Sequence, residues 1–349
     1  MPKSGLDGKY TTGKRRPSLF RQARRPALPI SLIVLGLIIF LFWLIPPAYR
    51  PTDIAVQLGA FTRAPGLPTP TPRPRPTDVH GGHIVFTCMR EEINQICLIN
   101  ADGTGFKQLT DVTTNAYYPT VSPDGESVVY AVNKYDDFDL YMLVLDSSKL
   151  FQLTRDIGNA FSPDFSPDGR SILFLNRAAQ GPSALWVMES TGANARLLYA
   201  GPNTIVGAAW SPDGHTIALA MAVDRLFTYE IFLLDINASD KGPRRLSHDL
   251  ADIGGSLDWS PDGRDLLLYA GPVNAREIYR LDAGTGTASQ LTFGGNNAAA
   301  AYSPDGQWIV YNSLRNDFQA DLFIMRSDGH STRQLTDDPE PDWQPQWGP

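Results

Sequence analysis

One short string returns five times along the chain. "VSPDG" stands at 121–125, "FSPDG" at 165–169, "WSPDG" at 210–214 and again at 259–263, and "YSPDG" at 302–306. The serines lie 44, 45, 49 and 43 residues apart. Self-similarity at about 40–50 residues restricts a chain to arrays of one supersecondary unit, of which the propeller blade is the all-β form. The string is also a turn by its own chemistry. Serine opens a β-turn, proline pre-sets φ at the next position, aspartate suits the third and glycine takes the left-handed fourth. Asp124, Asp168, Asp213, Asp262 and Asp305 are therefore structural turn residues. A calcium ion takes six or more converging oxygens, whereas these carboxylates fall one to a repeat.

The context of the turn repeats as well. A short apolar strand follows each one: "SVVYAV", "SILFLN", "TIALAM", "DLLLYA", "WIVYNS". A loop leads to a further strand ("DLYMLVLD", "ALWVME", "EIFLLD", "EIYRLD", "DLFIMR"), then a tight turn and a last strand ("FQLT", "RLLY", "RRLS", "SQLT", "RQLT"). Four short antiparallel strands per unit make a blade. Residues 83–110 fit the same register with "HIVFTC", "QICLIN" and "KQLT", lacking the strand ahead of their first turn. The segment "PDWQPQWGP" (341–349) aligns with "NAFSPDFSP" (159–167), one period beyond Ser303. It is expected to supply the inner strand of the first blade and so to remove an open sheet edge. The predicted fold is an all-β, six-bladed β-propeller over 83–349, its C-terminal strand closing the first blade.

The turn with its preceding aromatic, then "DLFIM", "DG" and "RQLT", resembles the TolB-like six-bladed β-propellers, a WD40-like repeat class. The resemblance covers about 83–349. It implies an extracytoplasmic propeller that works through protein contacts, as TolB-type propellers do in the cell-envelope Tol–Pal system. Where those proteins carry an α/β domain ahead of the propeller, this chain has an apolar run and a proline-rich stretch.

Charge is distributed unevenly. Of the net −7, residues 1–26 contribute +7 and residues 50–80 contribute +2, so residues 81–349 carry −16. An acidic propeller excludes the basic footprint of nucleic-acid binding. Between Arg25 and Arg50 no charged residue occurs, and "ALPISLIVLGLIIFLFWLIPPAY" (27–49) is apolar almost throughout. About 20 such residues span a bilayer core. The run is longer than the apolar core of a secretory leader, and no A-x-A site follows it closely. It reads as an uncleaved signal anchor. The basic tail (1–26) predicts a cytoplasmic N-terminus by the positive-inside rule. The stretch 50–82, with "PTPTPRPRPT", favours extended polyproline II and reads as a stalk. The expected localisation is the cell membrane, crossed once, with the propeller outside.

Residues for chemistry are few. Cys88 and Cys97 flank the first hairpin and are a possible disulfide, two separately packed thiols being the alternative. Arg90, Lys134, Arg177 and Arg315 recur after the second strand of four blades, with Gln95, Asp139 and Asp321 opening the next strand across the loop in three of them. One reading is a repeated local ion pair. The other is a binding rim with Tyr117, Tyr118, Tyr135 and Phe138 as aromatic anchors. No G-x-S-x-G elbow occurs. The five histidines are scattered, so neither a metal nor another cofactor is expected. The expected function is a binding scaffold for a protein, peptide or glycan of the envelope. The alternative is a propeller enzyme, a polysaccharide lyase or hydrolase, using the central funnel.

Overall fold

The computed structural model describes Val79 and residues 81–349, apart from 135–136, 179–180, 225–227, 249 and 317–318. The basic tail, the apolar run expected to be an anchor and nearly all of the stalk lie outside the described residues.

Among the described residues, twenty-four strands form six four-stranded antiparallel sheets. Blade 1 holds β1 (His83–Arg90), β2 (Ile93–Asn100) and β3 (Lys107–Gln108). Blade 2 holds β4 (Ala116–Val121), β5 (Ser127–Lys134), β6 (Asp137–Val144) and β7 (Lys149–Gln152). Blade 3 runs through β8 (Asn159–Phe165), β9 (Ser171–Arg177), β10 (Ala184–Glu189) and β11 (Arg196–Tyr199). Blade 4 comprises β12 (Ile205–Trp210), β13 (Thr216–Ala222), β14 (Tyr229–Asp235) and β15 (Arg244–Arg245), with a short 3-10 turn over Ile236–Lys241. Blade 5 is β16 (Leu257–Trp259), β17 (Asp265–Ala270), β18 (Glu277–Asp282) and β19 (Ala288–Gln290). Blade 6 is β20 (Asn297–Tyr302), β21 (Trp308–Ser313), β22 (Asp321–Arg326) and β23 (Arg333–Gln334), and β24 (Asp342–Gly348) ends the chain's strands.

The ring is shut by β24, which pairs antiparallel with β1: Gly348 stands opposite His83, Trp347 opposite Ile84 and Asp342 opposite Cys88. Arg90 holds the same seam. Its guanidinium reaches Asp338 at 3.0 Å, Glu340 at 3.7 Å and Asp342 at 3.8 Å. The apolar cluster at this seam joins Ile84, Phe86 and Trp347 to Trp308, Val310 and Leu322 of blade 6. Similar clusters fill the other gaps between blades. Alternation along each strand thus buries both faces of every blade, with each fully buried large side chain worth about 1.5–3 kcal/mol.

The turns behave as their residues dictate. In the first, the Ser122 hydroxyl donates to Asp124 at 2.5 Å and accepts the Ser127 amide, while Asp124 accepts the Glu126 amide. Gly125 sits at φ +74°. The other four turns repeat these contacts around Asp168, Asp213, Asp262 and Asp305. The serine hydroxyl and the backbone amide hold the Asp124, Asp168, Asp213 and Asp262 carboxyls below the usual range. Each turn glycine also packs near the preceding turn's proline, and Gly125 meets Pro349. Gly348-Pro349 therefore stands where the sixth Ser-Pro would be.

The "QLT" strand endings are a second repeated device. The threonine hydroxyl accepts the backbone amide of the third strand and donates to the acid or amide that opens it. Thr110 bonds Ile96 and Gln95, Thr154 bonds Leu140 and Asp139, and Thr292 bonds Ile278 and Glu277. In blade 4, Ser247 does the same for Ile231 and Glu230. The acids and amides that face the recurring basic residues in sequence are thus spent on the outermost strand, where they join β2 to β3 or β6 to β7.

Cys88 and Cys97 are joined by a disulfide, with Cα atoms 5.9 Å apart. They are not directly opposed: Cys88 stands across from Gln95 and Cys97 across from Phe86, so the bond runs diagonally between β1 and β2.

Candidate functional site: the central funnel

Each sheet ends on its inner strand, so one edge of β4, β8, β12, β16, β20 and β24 faces the axis. An unpaired edge leaves backbone amides in want of acceptors. Three blades meet this with proline, which has no N–H to offer: Pro119, Pro163 and Pro345 all stand three residues before the turn. Side chains meet it elsewhere. Asp164 of blade 3 accepts the Trp210 amide of blade 4 at 2.9 Å, and Asp258 of blade 5 accepts the Tyr302 amide of blade 6 at 2.7 Å. Gln344 of blade 1 accepts the Tyr118 amide of blade 2 at 3.1 Å and the Thr87 hydroxyl at 3.0 Å.

A bulge interrupts the inner strand in several blades. The bulged residue is left-handed in four of them: Tyr118 at φ 55°, Ser162 at 52°, Ala299 at 47° and Gln344 at 51°. For residues with a Cβ this costs about 1–3 kcal/mol each. The bulge widens the axis into a funnel of about 510 Å³, lined by Tyr117, Tyr118, Asp164, Tyr269, Trp343 and Gln344 among others. Tyr269 comes from β17, a second strand, and reaches the funnel past Gly254 and Gly255. A Cβ on Gly254 would lie 1.8 Å from its ring, and one on Gly255 would lie 2.1 Å from the Val206 carbonyl.

The funnel is lopsided. Tyr117, Tyr118, Phe138 and Phe161 form one aromatic group beside it, with centroids 5.9–6.5 Å apart. The facing side carries glycine and alanine: Gly207 on β12, Gly255 just before β16, and Ala298 and Ala299 on β20. Asp164 and Asp258 are ringed by protein. Burial pushes Asp164 up to about 7, against the pull of the Trp210 amide. Burial pushes Asp258 up to about 8, and the Asp164 charge adds to it. Among the described residues, no three His, Cys, Asp or Glu side chains converge as metal ligands.

Of the residues expected at a rim, Tyr117 and Tyr118 line the funnel and Phe138 packs on both, while Tyr135 lies outside the described residues. The basic residues are not gathered there. Arg90 is held in the seam. Lys134 donates to the Tyr141 hydroxyl at 3.2 Å, Arg315 lies over the Phe323 ring, and Arg177 is exposed. Sequence reasoning missed Asp164, Asp258, Tyr269, Trp343 and Gln344. For the two aspartates a signal existed: each stands two residues before the turn serine, in "PDFSPDG" and "LDWSPDG".

Six sheets around a funnel, with Ser-Pro-Asp-Gly turns at one end, define a six-bladed β-propeller. The TolB beta propeller domain model matches residues 70–222. Over 140 residues the chain is 34% identical to an uncharacterized protein of Agrobacterium fabrum, covering 40% of this chain and 46% of that one. Over 120 residues it is 29% identical to the Tol-Pal system protein TolB of Anaeromyxobacter dehalogenans, covering 34% of this chain and 27% of that one. The matched stretch is thus less than half the length of these relatives. The crystal structure of TolB from Acinetobacter baumannii superposes with a TM-score of 0.67 at 22% identity, over 77% of this chain and 67% of that chain. That likeness is one of fold.

Proposed function

We propose that this chain is a membrane-anchored, extracytoplasmic scaffold whose funnel binds an extended segment of a cell-envelope protein. The observation that carries the reading is the aromatic side of the funnel, Tyr117 and Tyr118 on its wall backed by Phe138 and Phe161. Rigid aromatic rings beside a cleft are the usual anchors of protein contacts. The Tol-Pal name of one relative supports an envelope setting, and the apolar run 27–49 after a basic tail supports an anchor with the propeller outside.

The test is a photocrosslinking residue placed at position 118 of the full chain in intact cells. A discrete adduct with one membrane or envelope protein is expected at 118, and none with the same residue at the outer-edge Leu150. Equal adducts at both positions, or polysaccharide turnover by the purified chain that is lost in a Tyr118 variant, would replace this reading.

A further inference from the structure

A second cleft of about 550 Å³ opens beside the funnel, between blades 5, 6 and 1, and shares Ala298, Asn312 and Trp343 with it. Its charge is Arg276. The guanidinium lies 5.3 Å from the centre of the Tyr269 ring, and among the described residues it meets no carboxylate. The indole N–H of Trp343 is buried and, like those of Trp210 and Trp347, has no acceptor among the described residues. Such an unmet donor costs about 1–3 kcal/mol and is rare in a native fold. The oxygen of Asn312 is committed to the Gln344 amide at 3.3 Å, which leaves its nitrogen to donate. A guanidinium, an indole N–H and a carboxamide N–H form a set of donors with no anionic acceptor of their own.

We propose that this cleft binds a carboxylate, that of an aspartate or glutamate in the extended peptide segment that occupies the funnel. An ionised carboxyl has two oxygens and about four acceptor sites, and it takes charge-assisted bonds most strongly from a guanidinium. The inference rests on the funnel being the peptide site. Burial raises the Asp164 carboxyl on the funnel wall, which lessens its repulsion of an acidic peptide. Arg276 is the charged residue lining this cleft, and it gives the segment a register as well as affinity.

The chain has seven tryptophans, so 5-fluorotryptophan labelling of the full-length protein gives a countable spectrum in which W343F assigns one signal. The probes are acetyl-Tyr-Glu-Tyr-amide and its glutamine counterpart. The acidic peptide should move the Trp343 signal saturably, and the glutamine peptide should bind roughly tenfold more weakly. R276Q should bring the acidic peptide down to the glutamine level, and R276K should fall between, with the other tryptophan signals unmoved as the check on folding. Equal affinity for the two peptides, or no loss in R276Q, overturns the proposal. If Y118A abolishes binding while R276Q does not, the funnel reading stands and this one falls. Tighter binding of trigalacturonate than of the peptide overturns the assignment to a peptide.

Discussion

Asp164 and Asp258 show how one side chain can serve the scaffold and tune it. Each accepts a backbone amide from the next blade, yet each is raised well above an ordinary carboxyl because protein surrounds it. Asp342, buried at the seam beside Asp338, is raised to about 7 as well, with Thr336 and Arg90 acting against the rise. A folded-state pKa above the unfolded value of about 4 means that the folded state binds the extra proton. The stability these groups supply is full below about pH 4 and is lost as pH rises through about 7 to 8. The melting temperature should therefore fall between pH 5.5 and pH 8.5. Asp258→Asn keeps an oxygen for the Tyr302 amide and carries no charge, so its margin in melting temperature over the parent should grow from pH 5.5 to pH 8.5. A parent whose melting temperature rises across this window would refute the assignment.

At the scale of the element, the two repeated devices were legible to different degrees. The turn could be read outright, because Ser, Pro, Asp and Gly each have a local conformational role and need nothing from the rest of the chain. The "QLT" ending was visible as a strand, but its bonding was not. Asp139 and Thr154 are fifteen residues apart, and their contact exists only once β6 and β7 pair. Sequence proximity pointed instead to Lys134, which bonds Tyr141. The funnel was hardest to read for the same reason. Tyr269 and Trp343 belong to blades 5 and 1, and only the closed ring brings them into one cavity. The disulfide was limited by register, since one slip between strands separates facing cysteines from diagonal ones. The threonine device can be tested alone. Thr154→Val keeps the strand shape but leaves the buried Leu140 amide without its acceptor. It should cost about 1–3 kcal/mol, seen as a lower urea midpoint with an unchanged slope.

At the scale of the whole molecule, the ring depends on a seam between strands more than 250 residues apart in the chain. Deletion of 341–349 removes β24, exposes the inner edge of β1, and takes Trp347 from the seam's apolar cluster and Asp342 from Arg90. Blades 1 and 6 then lose their shared core, and the loss passes to their neighbours because each blade is half of two interfaces. The shortened protein should melt far below the parent and over a broader range. An unchanged, sharp transition would mean that β24 is dispensable. The same arrangement separates what holds the ring from what it displays. Turns lie at one end of the ring and "QLT" contacts on its outer strands, whereas the fourth and fifth residues before the turn line the funnel in most blades, where one blade has Tyr118 and Tyr117 and another Ala299 and Ala298. Exchange at those places rewrites selectivity without rewriting the scaffold. Six near-copies of one unit can in this way give a mouth with no rotational symmetry.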